Sequence, residues 1–323
     1  MIYSKILFTG AYVPENSISN DDLTTIVDTN DEWIRTRSGI EQRYFSKGEN
    51  TSDIAAKAGL DVLNKGNINP KDVDLIIVAT VSGDYTTPST ACLVQAALGA
   101  ENAVAFDISA ACSGFIFAMS VADKYIRSGV YRNALVIGAE VLSKYLDFTD
   151  RGTCVLFGDG AAGVYMEASD TPGILAEDMG SDGSRGLALT CGHRKAENGF
   201  FGTKRDENSF LQMDGRAVFD FATRQTPKCI RILLEKSGIP LEKIRYVIPH
   251  QANIRIVEVI SRKLKIPMEK FYMNLHQYGN TSSATIPIAL NEMMEKGMLQ
   301  KDDIILIVGF GGGLTWGGMM IQL

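Results

Sequence analysis

The chain has 323 residues, about twice the roughly 150 residues of a common domain, which leaves room for two domains or one large double unit. Hydrophobic residues make up 45% and charged residues 22%, with 31 Gly and 9 Pro, a composition that excludes disordered, collagen-like and disulfide-scaffold chains. The net charge of −6 supplies no global positive field, so neither nucleic acid nor an anionic membrane is an expected partner.

Taken in chain order, Ile6 to Val13 is apolar but stops at Pro14 and Glu15 with no small-residue cleavage site after it. It predicts a first strand, not a signal peptide. Helix-like periodicity over Ser52 to Leu63 precedes a strand-like run at Leu75 to Val78, and Ser89 to Leu98 precedes Ala103 to Phe106. The helix-like stretch Gly114 to Arg127 leads to the strand Leu135 to Gly138, and Val164-Tyr165-Met166 also reads as strand. Later come helix-like Gly215 to Lys236, strand-like Val247 to Pro249, helix-like Asn253 to Leu264 and Ser283 to Glu295, and strand-like Ile304 to Val308. Short apolar runs alternating with longer periodic ones predict an α/β protein with sheets buried on both faces. No apolar run approaches the roughly 18 to 20 residues of a membrane-spanning helix.

Three segments recur in one register, 171 positions apart. Pro70 to Ile77 resembles Leu241 to Ile248, Ala134 to Gly138 lies on Ile305 to Gly309, and Ala111-Cys112-Ser113 lies on Ser282-Ser283-Ala284. A shared offset predicts a duplicated α/β unit, with the second copy starting near Ala168 to Pro172. The expected halves are residues 1–170, carrying Cys112, and residues 171–323, carrying His250 and Asn280.

Cys112 sits in Ser109-Ala110-Ala111-Cys112-Ser113-Gly114, between a strand-like run and a helix-like one. A helix N-terminus there lowers a thiol pKa and offers N–H groups to an oxyanion. A buried structural cysteine is the plain alternative, and it is the reading for Cys92, Cys154, Cys191 and Cys229. An odd count of five cysteines, without zinc-type pairs, fits a reducing cytoplasm and no metal site. Of three histidines, His250 ends a strand-like run where ligands gather in α/β sheets; His193 lies in the polar stretch Cys191 to Asp206 and His276 in a turn. Asn280, in Tyr278-Gly279-Asn280-Thr281-Ser282, lies in the loop of the second repeat equivalent to the Cys112 loop of the first, with helix capping as its alternative role. A cysteine, a histidine and an asparagine at such junctions suit acyl transfer. The string Gly158 to Gly163 matches a dinucleotide fingerprint only literally, because strand rather than helix follows it.

Seven strings, in order, resemble the β-ketoacyl-acyl carrier protein synthase III family of the thiolase superfamily. They are Asp31-Glu32-Trp33-Ile34 with Arg37-Ser38-Gly39-Ile40, the segment around Cys112, Asp150-Arg151-Gly152 with Phe157 to Gly160, Met213-Asp214-Gly215-Arg216, His250-Gln251-Ala252-Asn253, Tyr278 to Ser282, and Gly309 to Gly317. The resemblance implies a thiolase-like five-layered αβαβα fold of two duplicated halves, a homodimer, and a decarboxylating condensation of an acyl-CoA primer with malonyl-acyl carrier protein. It carries the nucleophile onto Cys112 and the decarboxylation pair onto His250 and Asn280. It places an aromatic neighbour at Phe310 and an oxyanion hole at the N–H groups of Cys112 and Gly312. Coenzyme A contacts fall on Trp33, Arg37, Arg151, Gly215, Phe219, Asn253 and Arg255. Arg255, Arg262 and Lys263 would meet the acidic carrier protein, the plainer alternative for Arg262 and Lys263 being solvation. Coenzyme A thioesters are substrates, and no cofactor is implied. Where many members carry a bulky aromatic that limits the acyl pocket from across the dimer, this chain has Thr87, so longer or branched primers are expected. Chalcone-synthase-like or other polyketide ketosynthases share the Cys-His-Asn set and remain the enzymatic alternative. A non-catalytic acyl-CoA binding module is the other.

Overall fold

The computed structural model describes residues 1–194, 196, 200 and 207–323. In chain order its main elements are β1 (Tyr3–Tyr12), α1 (Asp31–Ser38), α2 (Thr51–Gly66), β2 (Leu75–Ala79), α3 (Thr90–Leu98), β3 (Val104–Ile108), α4 (Gly114–Arg127), β4 (Asn133–Glu140) and β5 (Gly160–Ser169). They continue with β6 (Ile174–Ser181), α5 (Gly215–Ser237), β7 (Ile244–Pro249), α6 (Ile254–Leu264), α7 (Thr285–Glu295), β8 (Ile304–Gly311) and β9 (Thr315–Gln322). Local chemistry sets the helix starts: Ser89, Asp214 and Asn253 each accept a backbone N–H of the first turn, at Cys92, Ala217 and Arg255.

Two sheets form. The first runs β1-β5-β4-β2-β3 and the second β6-β9-β8-β7. Both have the same hand of pairing: β1 with β5 and β5 with β4 are antiparallel, β4 with β2 and β2 with β3 parallel. Likewise β6 with β9 and β9 with β8 are antiparallel, and β8 with β7 parallel. The missing fifth strand of the second sheet survives as one parallel bridge, Val247 to Phe271, with Tyr272 N–H donating to Val247 C=O at 2.9 Å. Even the lead-in turns repeat, a single 3₁₀ turn at Pro70–Asp72 before β2 and at Leu241–Lys243 before β7.

Apolar residues of α4 and α7, such as Phe115, Met119, Ile286 and Leu290, pack between the sheets against Ile77, Val136, Ile305 and Ile307. Helices α2 and α3 cover the outer face of the first sheet, and α5 and α6 that of the second. The result is five layers, αβαβα. Burial on both faces explains why β2 and β4 read as unbroken apolar runs, every residue of each being buried. Among the described residues no helix is long and apolar enough to cross a membrane.

Candidate active site

The two sheets meet at a pair of matching turns. Ala111–Ser113 and Ser282–Ala284 each form one 3₁₀ turn immediately before α4 and α7. The first helix begins at Gly114 as expected, whereas the second turn takes up Ser283 and Ala284, expected as the start of a helix. Ala111 (φ 47°) and Ser282 (φ 49°) both hold left-handed backbone, a conformation that costs a non-glycine residue on the order of 1 kcal/mol. The tight turn points residue 112 out of the helix axis into a cavity.

That cavity, about 440 Å³, is lined at its inner end by Cys112, His250, Asn280, Phe310 and Gly311. The three polar groups are almost fully buried, at 6%, 2% and 6% exposure. Asn280 N–H donates to Leu156 C=O at 2.9 Å, and its C=O accepts Gly158 N–H at 3.1 Å. Its side-chain oxygen accepts Ser282 N–H at 2.8 Å, which leaves the amide NH₂ to face the cavity. The His250 ring meets the edge of Phe310, with centroids 5.3 Å apart. Its Nδ1 lies 2.7 Å from Thr285 Oγ1, and Thr285 Oγ1 lies 2.9 Å from Ser282 C=O. Burial drives the His250 pKa down to about 3, so the imidazole is neutral.

Burial also pushes the Cys112 thiol up to about 12; a hydrogen bond with the Ser282 side chain opposes the rise and the charge of Glu140 adds to it. This corrects the expectation of a lowered thiol pKa. Desolvation outweighs the helix N-terminus, because the thiol sits beneath the surface. Cys92 also departs from the expected buried state: it lies exposed on the first turn of α3. Cys191 is half-buried, and Cys154 and Cys229 are buried as expected. His193 and His276 are exposed. Part of the polar stretch Cys191 to Asp206 lies outside the described residues.

At the outer end, Trp33 of α1 carries Arg151 and Arg37 over its ring at 5.2 and 5.9 Å. Gly215, Phe219, Asn253 and Arg255 line the same cavity, and Asn253 ties its wall together by donating to Arg37 C=O at 2.9 Å. A second hollow of about 350 Å³ opens from Cys112 in the other direction, past Val81, Leu142, Leu189, Leu211 and Gly312. Gly312 C=O accepts from Thr315 Oγ1 at 3.0 Å, and that oxygen also stands 3.1 Å from Ala110 C=O, so one hydroxyl clamps the Cys112 and Gly312 loops together. Thr87 lines neither cavity within its own chain. It is exposed in an adjacent hollow that shares Val81 and Cys191 with the second one. On α6, Arg262 and Lys263 are both exposed; Arg262 Nε lies 3.3 Å from Glu258 C=O and Lys263 donates to Thr223 C=O at 2.8 Å. Among the described residues no group of three or more His, Cys, Asp or Glu is placed to hold a metal ion.

Two family models match: 3-oxoacyl-acyl-carrier-protein synthase III over residues 106–183, and the C-terminal part of the same enzyme over residues 234–323. The chain is 52% identical to a Clostridium novyi β-ketoacyl-acyl-carrier-protein synthase III over 318 residues, covering 98% of each. The chain belongs to the β-ketoacyl-acyl carrier protein synthase III family. It is 50% identical to the Streptococcus mutans enzyme of the same name, over the full length of both. The Aquifex aeolicus synthase III crystal structure superposes with a TM-score of 0.93 at 46% identity, covering 99% of this chain and all of that one. The protein is thus a condensing acyltransferase of fatty acid biosynthesis with the thiolase-like fold. Sequence reading passed over Glu140, Ser282 and Thr285, which hold the cysteine, the asparagine loop and the histidine from behind. A buried acid ending an otherwise apolar strand, Ala134 to Glu140, was the available signal.

Proposed function

We propose that Cys112, His250 and Asn280 carry a two-stage condensation. The Cys112 sulfur attacks the thioester carbonyl of acyl-CoA, coenzyme A leaves as its thiol, and the acyl group stays on sulfur. Malonyl-acyl carrier protein then enters the same cavity. Turning the Thr285 O–H from Ser282 C=O to Nδ1 puts the proton of neutral His250 on Nε2, and that N–H together with the Asn280 NH₂ holds the malonyl thioester oxygen. Carbon dioxide leaves as the charge passes to this oxygen. The enolate carbon attacks the acyl-Cys112 carbonyl, the N–H groups of Cys112 and Gly312 hold the oxyanion, and the cysteine thiolate is expelled.

The observation that carries this reading is the sharing of one buried cavity by all three side chains, its mouth bounded by Trp33 and Arg151. The Trp33 ring and the arginines there suit a coenzyme A nucleotide, with Arg37, Gly215, Phe219, Asn253 and Arg255 along the arm behind them. Exposed Arg255 at the cavity, with Arg262 and Lys263 exposed further along α6, offers positive charge for an acidic carrier protein. The pseudo-symmetry favours residues 1–170 and 171–323 as the two functional halves, and exposed Thr87 reaches an acyl pocket only by crossing to a second copy, which favours a homodimer. A cytoplasmic location suits the free thiols.

The test is mass spectrometry of the protein mixed with acyl-CoA, which should show one acyl adduct on Cys112 and none in Cys112→Ala. An adduct elsewhere refutes the assignment. A second reading has one supporting observation: the priming ketosynthase of the R1128 polyketide pathway superposes at a TM-score of 0.91 with 32% identity. A clear preference for malonyl-CoA over malonyl-acyl carrier protein as extender favours a polyketide role.

A further inference from the structure

Glu140, the last residue of β4, is fully buried behind Cys112 and has no part in the chemistry above. It is nonetheless surrounded by hydroxyls. Its Oε2 accepts Ser82 Oγ at 2.6 Å and Thr80 Oγ1 at 3.2 Å, and Val81 N–H reaches both carboxylate oxygens, at 3.1 and 3.3 Å. Its Oε1 meets Ser282 Oγ at 3.1 Å and Ser283 Oγ at 3.0 Å. Ser282 also lines the hollow that opens from Cys112, where its side chain opposes the rise of the thiol pKa. The Ser282 hydroxyl therefore joins the wall that carries the sulfur to a carboxylate oxygen.

We propose that Glu140 receives the Cys112 proton through Ser282 when the thiol attacks acyl-CoA, an inference that rests on Cys112 being the nucleophile. The thiol proton passes to Ser282 Oγ as the Ser282 hydroxyl proton passes to Glu140 Oε1. The products are a thiolate, a hydroxyl now turned to donate to it, and a neutral carboxylic acid. Coenzyme A then leaves as thiolate and takes one proton, supplied by return from Glu140 or by solvent. No charge is created or lost in the first transfer, which matters in a site this dry.

Ser283 is what lets both states of Glu140 exist. Its single hydroxyl proton has two acceptors, Glu140 Oε1 at 3.0 Å and Ala79 C=O at 2.8 Å. Facing a carboxylate, Ser283 donates to it. Facing the protonated acid, Ser283 turns to Ala79 C=O and its oxygen accepts the new O–H. A rotation of one hydroxyl keeps every group paired, so neither state carries an orphaned buried donor.

Burial raises the Glu140 carboxyl, opposed by these hydroxyls, so it is a better proton acceptor than an exposed glutamate. The other titratable neighbours are Lys144, whose ammonium stands 3.7 Å from Asp84, and the Cys191 thiol, which burial and then the Glu140 charge push upward. None of them lies on the path.

The experiment measures single-turnover acylation of Cys112 by acetyl-CoA between pH 6 and 10, read by rapid quench and mass spectrometry. It compares wild type, Glu140→Gln, Glu140→Asp and Ser282→Ala, and measures decarboxylation of malonyl-acyl carrier protein in parallel. General-base assistance contributes roughly 10²-fold or more, so Glu140→Gln should acylate slower by that factor at neutral pH. Its rate should climb steadily with pH where wild type reaches a plateau. Ser282→Ala should share the steep profile, and Glu140→Asp should restore part of the plateau. Decarboxylation, which moves no cysteine proton, should fall far less. If Glu140→Gln acylates as fast as wild type or faster, or both half-reactions fall together with an unchanged pH profile, the relay is wrong. Should Glu140→Gln not fold, a wild-type rate and profile in Ser282→Ala overturns it equally. An adduct away from Cys112 in wild type overturns instead the assignment on which it rests.

Discussion

Gly311→Ala is the sharpest single perturbation of the cavity. Gly311 ends β8 beside the nucleophile turn, and a Cβ added there stands 2.6 Å from Cys112 N, 3.1 Å from Cys112 Cβ and 3.2 Å from Ala111 Cβ. Reaching an ordinary contact of roughly 3.4 Å requires the two backbones to part by about 0.8 Å. Neither can give cheaply. Cys112 sits in a turn already strained at Ala111 (φ 47°), and Gly311 is held by its pairing with Thr315 of β9. Overpacking of this kind costs about 1 to 3 kcal/mol of stability. The larger effect falls on the chemistry, because a displacement near 1 Å of a reacting group slows a positioned reaction by roughly 10²-fold. Gly309→Ala, two residues earlier on the same strand, is the control. Its Cβ meets only ordinary contacts, 3.4 Å to Ile116 and Ile286 methyls and 3.5 Å to Cys112 C=O. The assay is the acylation rate of Cys112 by rapid quench, with thermal unfolding measured alongside. Gly311→Ala should lose about two orders of magnitude in rate, while Gly309→Ala keeps most of it. A wild-type rate in Gly311→Ala, or equal damage in both variants, refutes the geometric argument.

The His250 environment fixes a pH dependence. A histidine held neutral when folded, with its pKa lowered to about 3 from 6.5, leaves stability undiminished above 6.5 and drains it as pH falls from there toward 3. Thus decarboxylation of malonyl-acyl carrier protein should show no histidine titration between pH 6 and 8, whereas denaturant unfolding should find stability falling on acidification below 6.5; an inflection in the decarboxylation rate near 6.5 contradicts the neutral imidazole. For the primer, each methylene that fills space freed at residue 87 contributes about 0.8 kcal/mol, so wild type should accept butyryl-, isobutyryl- and octanoyl-CoA, and Thr87→Phe should lower kcat/KM for the longest most. Acceptance of acetyl-CoA alone, or unchanged long-chain rates in Thr87→Phe, removes Thr87 from the acyl pocket.

The duplication was legible because both halves need the same local solutions: a 3₁₀ lead-in, a strand buried on both faces, a turn, a helix. Two strands were not legible, β6 and β9, and the reasons are physical. β9 reads Thr-Trp-Gly-Gly-Met-Met-Ile-Gln, and its glycines suggest a loop. They are there because helices press on both faces: a Cβ at Gly317 stands 3.0 Å from Ile116 of α4, and one at Gly318 stands 2.8 Å from Leu233 of α5. β6 hides for the opposite reason. It lies at the sheet edge, so it tolerates Glu177 and Asp178, which meet Lys124 at 2.7 Å and Lys236 at 3.6 Å. At the site, motif and spacing picked out Cys112, His250 and Asn280, but the thiol's environment was misjudged. Sequence shows the helix that follows a cysteine and conceals how deeply packing from the other half buries it.

The two matching turns explain why the site lies where it does. Both carry left-handed backbone one residue before the helix-leading position, at Ala111 before Cys112 and at Ser282 before Ser283. Duplication therefore delivered two equivalent side chains to one junction, and they have diverged. Cys112 faces the cavity, while its counterpart Ser283 faces inward to Glu140 and to Ala79 C=O of the first sheet. The close approach that this requires is visible in β4, where a Cβ on Gly138 stands 2.5 Å from Ser283 C=O. Bulk at Gly138 would push the second turn away, and with it Asn280, whose side chain is fixed by the N–H of Ser282. One copy of the turn presents sulfur to the cavity, and the other fixes the Asn280 side chain and pairs with the Glu140 carboxylate.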